Sequence, residues 1–234
     1  MQLQGSSPTP IGRPLLIAAA IALFTNACIA WGVDGEPLRV LRHLSLPQDR
    51  LTPGHATSAA YRLRLRIAVL AASGWRAEDV LESARIAVGI LGQCAIGTES
   101  IELDEIEAPS RYRTFFTPVS RQLAARLALS RPALFFLADT RQHPAFDAEA
   151  IGRANSRTRP EMADSVWIVR EARDLEVVIA HELAHVLADS GEHSEEEGNL
   201  MREETAPGRT RLTPAQCARI VKTAGANGLL RPSD

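Results

Sequence analysis

The stretch from Leu175 to Ala188, LEVVIAHELAHVLA, constrains this chain more than any other. Val177, Val178, Ile179, Ala180, Leu183, Ala184, Val186 and Leu187 surround a helical projection on nearly every side. The segment therefore predicts a helix buried in a core, not one lying on a surface. Asp174 stands where a cap would open it, and Asp189-Ser190-Gly191 where it would end. The same segment nevertheless carries His181, Glu182 and His185. Two imidazoles and a carboxylate facing into an apolar interior are costly unless something binds them, and a metal ion does that.

On a helix His181 and His185 are one turn apart, and their rings project from the same face, close enough to share one ion. Glu182 lies between them in angle, where its carboxylate reaches the fourth coordination position and can take a proton from bound water. The residues spell HExxH, the spacing of a zinc hydrolase. A catalytic zinc takes three protein ligands and keeps one position for water. For the third ligand His193 is best placed, eight residues beyond His185 and just past Gly191, a residue that can turn the chain through a left-handed conformation. Asp189, Glu192 and the run Glu195 to Glu197 compete for the role, although that run also reads as a solvated loop. His43, His55 and His143 have no partner at ligand spacing and read as surface or loop residues.

The rest of the chain alternates strands and helices. Arg62 to Leu70 begins as an alternation and becomes continuously apolar, which predicts a strand that starts at the surface and enters the core. Residues 76 to 92 read as a helix with Val80, Ala84, Ala87 and Leu91 on one stripe. Ile101 to Ile106 reads as a second strand, Val119 to Leu129 as a helix with Leu123 and Leu127 inward, and Ala133 to Ala138 and Ser165 to Val169 as buried strands. A βαβαβ order followed by a strand and a buried helix implies a mixed, mostly parallel sheet with helices packed against it. Near the C-terminus Thr213, Pro214 and Gln216 compose a capping box that opens a final helix running to about Thr223.

The histidines and glutamate, Gly191 and the segment Gly198-Asn199-Leu200-Met201 together resemble the metzincin family of zinc endopeptidases, in which HExxHxxGxxH is followed by a methionine turn. The interval from His193 to Met201, with Ser194 directly after the histidine, is similar to that of the matrix metalloprotease branch. The segment between His185 and His193 is two residues longer than the family pattern, and its glycine lies one place nearer the last histidine. The resemblance implies a zincin-like α/β (α+β) fold: a mixed, mostly parallel twisted sheet with packed helices, an active-site helix and a short C-terminal subdomain ending in a helix. It further implies Zn2+ held by His181, His185 and His193, Glu182 as general base and then acid, and a peptide or protein substrate extended along an edge strand. Met201 would be a hydrophobic floor beneath the metal and not a ligand; on its residue type alone it is a core methionine. Ala150 to Asn155 stands where the family's antiparallel edge strand would lie, and reads equally as a loop.

Composition sets the outer limits. With 234 residues, 45 % hydrophobic content and a formal charge of -2, the chain can bury one substantial core and has no electrostatic case for a nucleic-acid partner. Its beginning differs in kind, because a single Arg13 precedes a run from Pro14 to Val33 that holds no charge. Residues 1–30 are therefore expected to be an export signal cleaved before Trp31, or an uncleaved N-terminal anchor through which the protein would attach to a membrane. Residues 31–60, rich in Pro, Gly, Arg and His, read as an extended N-terminal segment, and 61–234 as the zinc metallopeptidase domain. The expected location is secreted or periplasmic. Loss of Cys28 with the signal leaves Cys94 and Cys217 as a pair. A disulfide there would tie the first helix to the last and contribute about 4 kcal/mol in the chain-entropy model; the alternative is two separate buried thiols. The functional expectation is a zinc-dependent endopeptidase. The alternative is an exported, non-catalytic domain stabilised by a zinc that a fourth protein ligand closes.

Overall fold

The computed structural model describes residues 36–47, 59–141, 150–153, 160–170 and 172–233, so the expected export segment 1–30 lies outside the described residues. Strand β2 (Tyr61–Leu70) shows why the chain folds in layers. Its Leu63, Leu65, Ile67 and Val69 are buried in one apolar cluster, and its Ala68 and Leu70 in a second. Arg62, Arg64 and Arg66 keep the first half of that second face near solvent. The strand thus enters the core wet on one side and ends dry on both, as its pattern predicts.

β2 pairs in parallel with β3 (Ile96–Glu107) on one side and with β5 (Ala133–Phe136) on the other, and β8 (Ser165–Ile168) continues in parallel beyond β5. Antiparallel strands close both edges, β1 (Arg39–Pro47) against β3 and β7 (Ala150–Arg153) against β8, in the order β1-β3-β2-β5-β8-β7. A short β9 (Leu230–Pro232) returns antiparallel to the start of β2, and β4 (Thr114–Phe115) pairs with β6 (Asp139–Thr140) in a separate ribbon. This is the mixed, mostly parallel sheet with packed helices that the alternation of elements implies.

Helices cover both faces. α1 (Ala77–Leu91), α3 (Leu175–Ala188) and α4 (Pro214–Ala226) share a core with Leu134, Phe136, Val166 and Ile168. α2 (Thr117–Leu127) lies on the opposite face with Phe135, Trp167 and Val169. Trp167 stacks on Phe135 with ring centroids 4.1 Å apart, and its indole N–H donates to Ser165 Oγ at 2.9 Å, so a large ring is buried without an orphaned donor.

Two strands depart from the sequence reading for physical reasons. β3 begins at Ile96, five residues before the apolar run, because Gly97 to Ser100 are held by backbone pairing to β2 and by the ion pair of Glu99 with Arg64. Within the segment read as merely extended, residues 39–47 form β1. A bulge between Val40 and Arg42 breaks its alternation, and only Leu44 and Leu46 pack on the core, so no period shows in the sequence.

Cys94, just beyond α1, is bonded to Cys217 in α4 with Cα atoms 4.9 Å apart. The Thr213–Gln216 capping box forms in both directions at the start of α4. Among the described residues no helix is long and apolar enough to cross a membrane. Because the disulfide closes a long loop, reduction or the double change Cys94→Ser/Cys217→Ser is expected to cost 2–5 kcal/mol, roughly, in unfolding free energy. Urea denaturation with and without reductant measures it; coincident transitions would mean that the bond adds nothing.

Candidate metal centre

The metal ligands predicted on α3 sit in a helix whose residues from Val177 to Leu187 are all buried. His181 is 4 % exposed, and Glu182 and His185 are each 8 % exposed. Each buried ring is answered on one side by a backbone carbonyl. His181 Nδ1–H donates to the Leu200 oxygen at 2.7 Å, and His185 Nδ1–H to the Ser190 oxygen at 2.6 Å. A carbonyl can only accept, so both protons reside on Nδ1 and both Nε2 atoms present a bare lone pair.

The chain returns toward these lone pairs just after α3. Asp189 caps the helix in the left-handed conformation at φ 46, and Ser190 N–H closes back on the His185 carbonyl at 3.1 Å. The left-handed turn expected at Gly191 is therefore made two residues earlier, by an aspartate, one of the few non-glycine residue types that tolerate it. His193 then arrives with its Nε2 3.2 Å from that of His185, which is itself 2.9 Å from that of His181. The ligand atoms of the three residues all lie within 4.8 Å of one another. The His181 and His193 rings are inclined by 21°, and the His185 ring stands at 81° to each.

With both Nδ1 hydrogens committed elsewhere, no hydrogen bond joins the Nε2 atoms of His181 and His185; the lone pairs converge and repel unless a cation lies among them. A tetrahedral ion with nitrogen ligands at 2.0–2.1 Å sets neighbouring ligands about 3.3 Å apart, close to the separations here. Burial also prepares the rings. Desolvation, with the neighbouring imidazole adding to it, pushes His185 down to about 4, and burial likewise lowers His181. Both are neutral bases at physiological pH, the form a metal needs. His193 is exposed, so the site has a buried floor and a solvent-facing mouth.

The Leu200 carbonyl that orients His181 belongs to a braced segment. Gly198 has φ +73, and the Arg211 guanidinium fills the place of a side chain, its Nη2 2.7 Å from where a Cβ would be. Arg211 Nη2–H donates to the Glu197 carbonyl at 2.7 Å, while Leu200 N–H donates to the Arg211 carbonyl at 2.7 Å. Met201 is buried in the same apolar cluster as α3, and its carbonyl accepts from Ser194 N–H at 2.7 Å, which binds the turn to the residue next to His193. Asn199, 1 % exposed, accepts from Met201 N–H at 2.9 Å and exchanges two hydrogen bonds with Gln216, at 3.0 and 3.2 Å.

Among the described residues no carboxylate or thiol joins the three imidazoles. Glu192 instead pairs with Arg219, and Glu195 and Glu197 offer their carbonyls to Arg202 and Arg211. His43 lies on β1, paired with Asp104 at 2.7 Å, and His55 and His143 fall outside the described residues. Of the segment read as edge strand or loop, Ala150–Arg153 is a strand; it borders β8 and lies against α3. Sequence reasoning missed the Asn199–Gln216 pair, since Gln216 was accounted for as a cap alone. It also missed the two carbonyls, which carry no side-chain signal.

In the metal-free protein His185 has a pKa of about 4, against 6.5 for the free ring. Between these values the unfolded chain binds the proton and the folded chain does not, so this contribution is complete above 6.5 and is lost as pH falls toward 4. The group is expected to cost the metal-free protein about 2 kcal/mol between pH 7 and pH 5. Urea midpoints at the two pH values measure it, and His185→Leu should show a correspondingly smaller drop; equal drops would refute the assignment.

No family model and no curated protein matches this chain. Among solved structures the chain is similar to the crystal structure of metalloproteinase-II from Bacteroides fragilis, with a TM-score of 0.47 and 14 % sequence identity. The match covers 71 % of this chain and 54 % of that one, so the chain spans about half the length of the protein it matches.

Proposed function

We propose that this chain is a zinc-dependent endopeptidase of metzincin type, exported to a secreted or periplasmic location. One observation carries the reading: three imidazoles converge, two of them kept neutral by burial, with no fourth protein ligand among the described residues, beside a buried glutamate on the same helix. A structural zinc is normally closed by a fourth protein ligand, whereas a catalytic one keeps a position for water. That weighs against a non-catalytic, zinc-stabilised domain. His181, His185 and His193 would hold the ion, and zinc bound there supplies the Lewis acidity that polarises a scissile carbonyl and acidifies water.

The chain's own residues do the rest. Glu182 takes the proton of the attacking water and delivers it to the leaving amine, a transfer that burial favours by keeping bulk water from competing. The Nδ1–H bonds to Leu200 and Ser190 hold the two rings in one tautomer and make them better electron donors. β7, at the sheet edge beside α3, offers backbone N–H and C=O groups to an extended peptide or protein substrate. The charge-free run after Arg13 and the Cys94–Cys217 bond support export.

Purified protein is expected to contain one zinc per chain by elemental analysis, and His193→Ala to hold it more weakly. Chelation should abolish cleavage of a peptide library and added zinc restore it. Glu182→Gln should fold and keep its zinc while losing 10²–10⁴-fold, roughly, in kcat/KM. Undiminished cleavage by that variant would sink the mechanism, and a folded protein that takes up no zinc would sink the whole reading.

A further inference from the structure

We infer that Gln216 is a positioning residue for the metal centre: acting through Asn199 and the Leu200–Met201 peptide, it sets the aim of the His181 imidazole. The inference rests on the three histidines being a metal site.

The carbonyl of Leu200 and the N–H of Met201 belong to one peptide unit. It is planar and trans, the one cis bond among the described residues being Arg131–Pro132, so the two groups point in opposite directions from a rigid plate. His181 Nδ1–H holds the carbonyl end at 2.7 Å, and Asn199 Oδ1 holds the N–H end at 2.9 Å. Any rotation of the plate that loosens the Asn199 contact also moves the acceptor that orients His181, and with it the lone pair on Nε2.

Asn199 is in turn gripped by Gln216. Gln216 Oε1 accepts from Asn199 Nδ2 at 3.0 Å, and Gln216 Nε2 donates to Asn199 Oδ1 at 3.2 Å. Neither amide can turn over. Asn199 must keep its oxygen toward Met201 N–H, and Gln216 must keep its oxygen toward Thr213 N–H, which donates to it at 2.8 Å. Position 216 therefore needs an acceptor and a donor at once, although a helix cap needs only the acceptor. A glutamate would satisfy the cap equally well, but it would set an oxygen against Asn199 Oδ1.

The base of this lever is fixed. Cys217 is bonded to Cys94, and the neighbouring Gln93 accepts from Leu212 N–H at 2.7 Å and donates to the Thr210 carbonyl at 2.8 Å. The start of α4 is thereby anchored to the end of α1, and Gln216 carries that anchorage to the metal side.

Three variants in the full chain separate positioning from simple support. Thr213→Ala removes the hydroxyl that accepts from Gln216 N–H at 3.2 Å, weakening the cap while leaving the amide pair intact. Gln216→Glu keeps the cap and the bond from Asn199 Nδ2 but sets an oxygen in place of the donor to Asn199 Oδ1; Gln216→Ala removes the cap acceptor and the whole pair. For each, Zn2+ affinity is measured by chelator competition, the Co2+-loaded protein by its visible absorption, and the metal-free protein by its urea midpoint. Both Gln216 variants are expected to bind Zn2+ about 10- to 100-fold more weakly with an altered Co2+ spectrum, and Thr213→Ala to stay within about twofold despite a lower midpoint. Wild-type affinity and spectrum in Gln216→Glu would overturn the inference. So would losses of affinity that simply track the midpoint in all three variants, since that is what support alone predicts. A wild-type chain that takes up neither metal would overturn the metal-site reading and this inference with it, whereas metal uptake indifferent to position 216 would overturn this inference alone.

Discussion

The desolvation of α3 is the constraint on which the rest of the structure depends. A helix buried from Val177 to Leu187 cannot leave two imidazoles to find their own partners in water. Each ring must be answered from both sides, and the fold answers the Nδ1 side with carbonyls from segments that follow the helix. One of these, at Ser190, comes from the turn that ends the helix; the other, at Leu200, comes from a loop that α4 and Arg211 brace. The Nε2 side is left for a ligand. Removing a single carbonyl acceptor would leave a buried donor unsatisfied, which costs more than the bond itself contributes.

The sheet performs a quieter task with charge. Arg64 and Arg66 on β2 reach Glu99, Glu102 and Asp104 on β3, on the half of the sheet face that α2 leaves uncovered. Ion pairs this close to solvent contribute little stability. Their role is to fix register, because a one-residue slip of β2 would turn three arginines into the apolar cluster beneath α1 and α3 and bring four aliphatic side chains out. The position of β2 then fixes β5 and β8, and β8 leads into α3.

Much of this was legible in the sequence, and what was not has a physical cause. The stripe of α1, the capping box of α4 and the Cys94–Cys217 pair follow from patterns in which side chains alone carry the information; the bounds of α3 agree as well, although Asp174, read as its cap, stands at the N-terminal position in a left-handed conformation without a side-chain cap bond. The gathering of His181, His185 and His193 followed from spacing, although the turn that achieves it lies at Asp189 and not Gly191. Edge strands were harder. β1 carries a bulge and β7 is only four residues long, so neither supports a period. The supports of the candidate metal site were harder still, since the Leu200 and Ser190 carbonyls belong to the backbone that every residue shares. The Asn199–Gln216 pair joins amides 17 positions apart that no local pattern connects.

The bond between Cys94 and Cys217 spans 123 positions, and the ring it closes contains β3, α2, the sheet beyond β2, α3 and the loop beneath the site. Every imidazole of the centre lies inside that ring. A backbone cut anywhere within it opens the ring without parting the pieces. His181, His185 and His193 then remain on one covalently joined molecule, and detaching any of them takes either a second cut or a reductant.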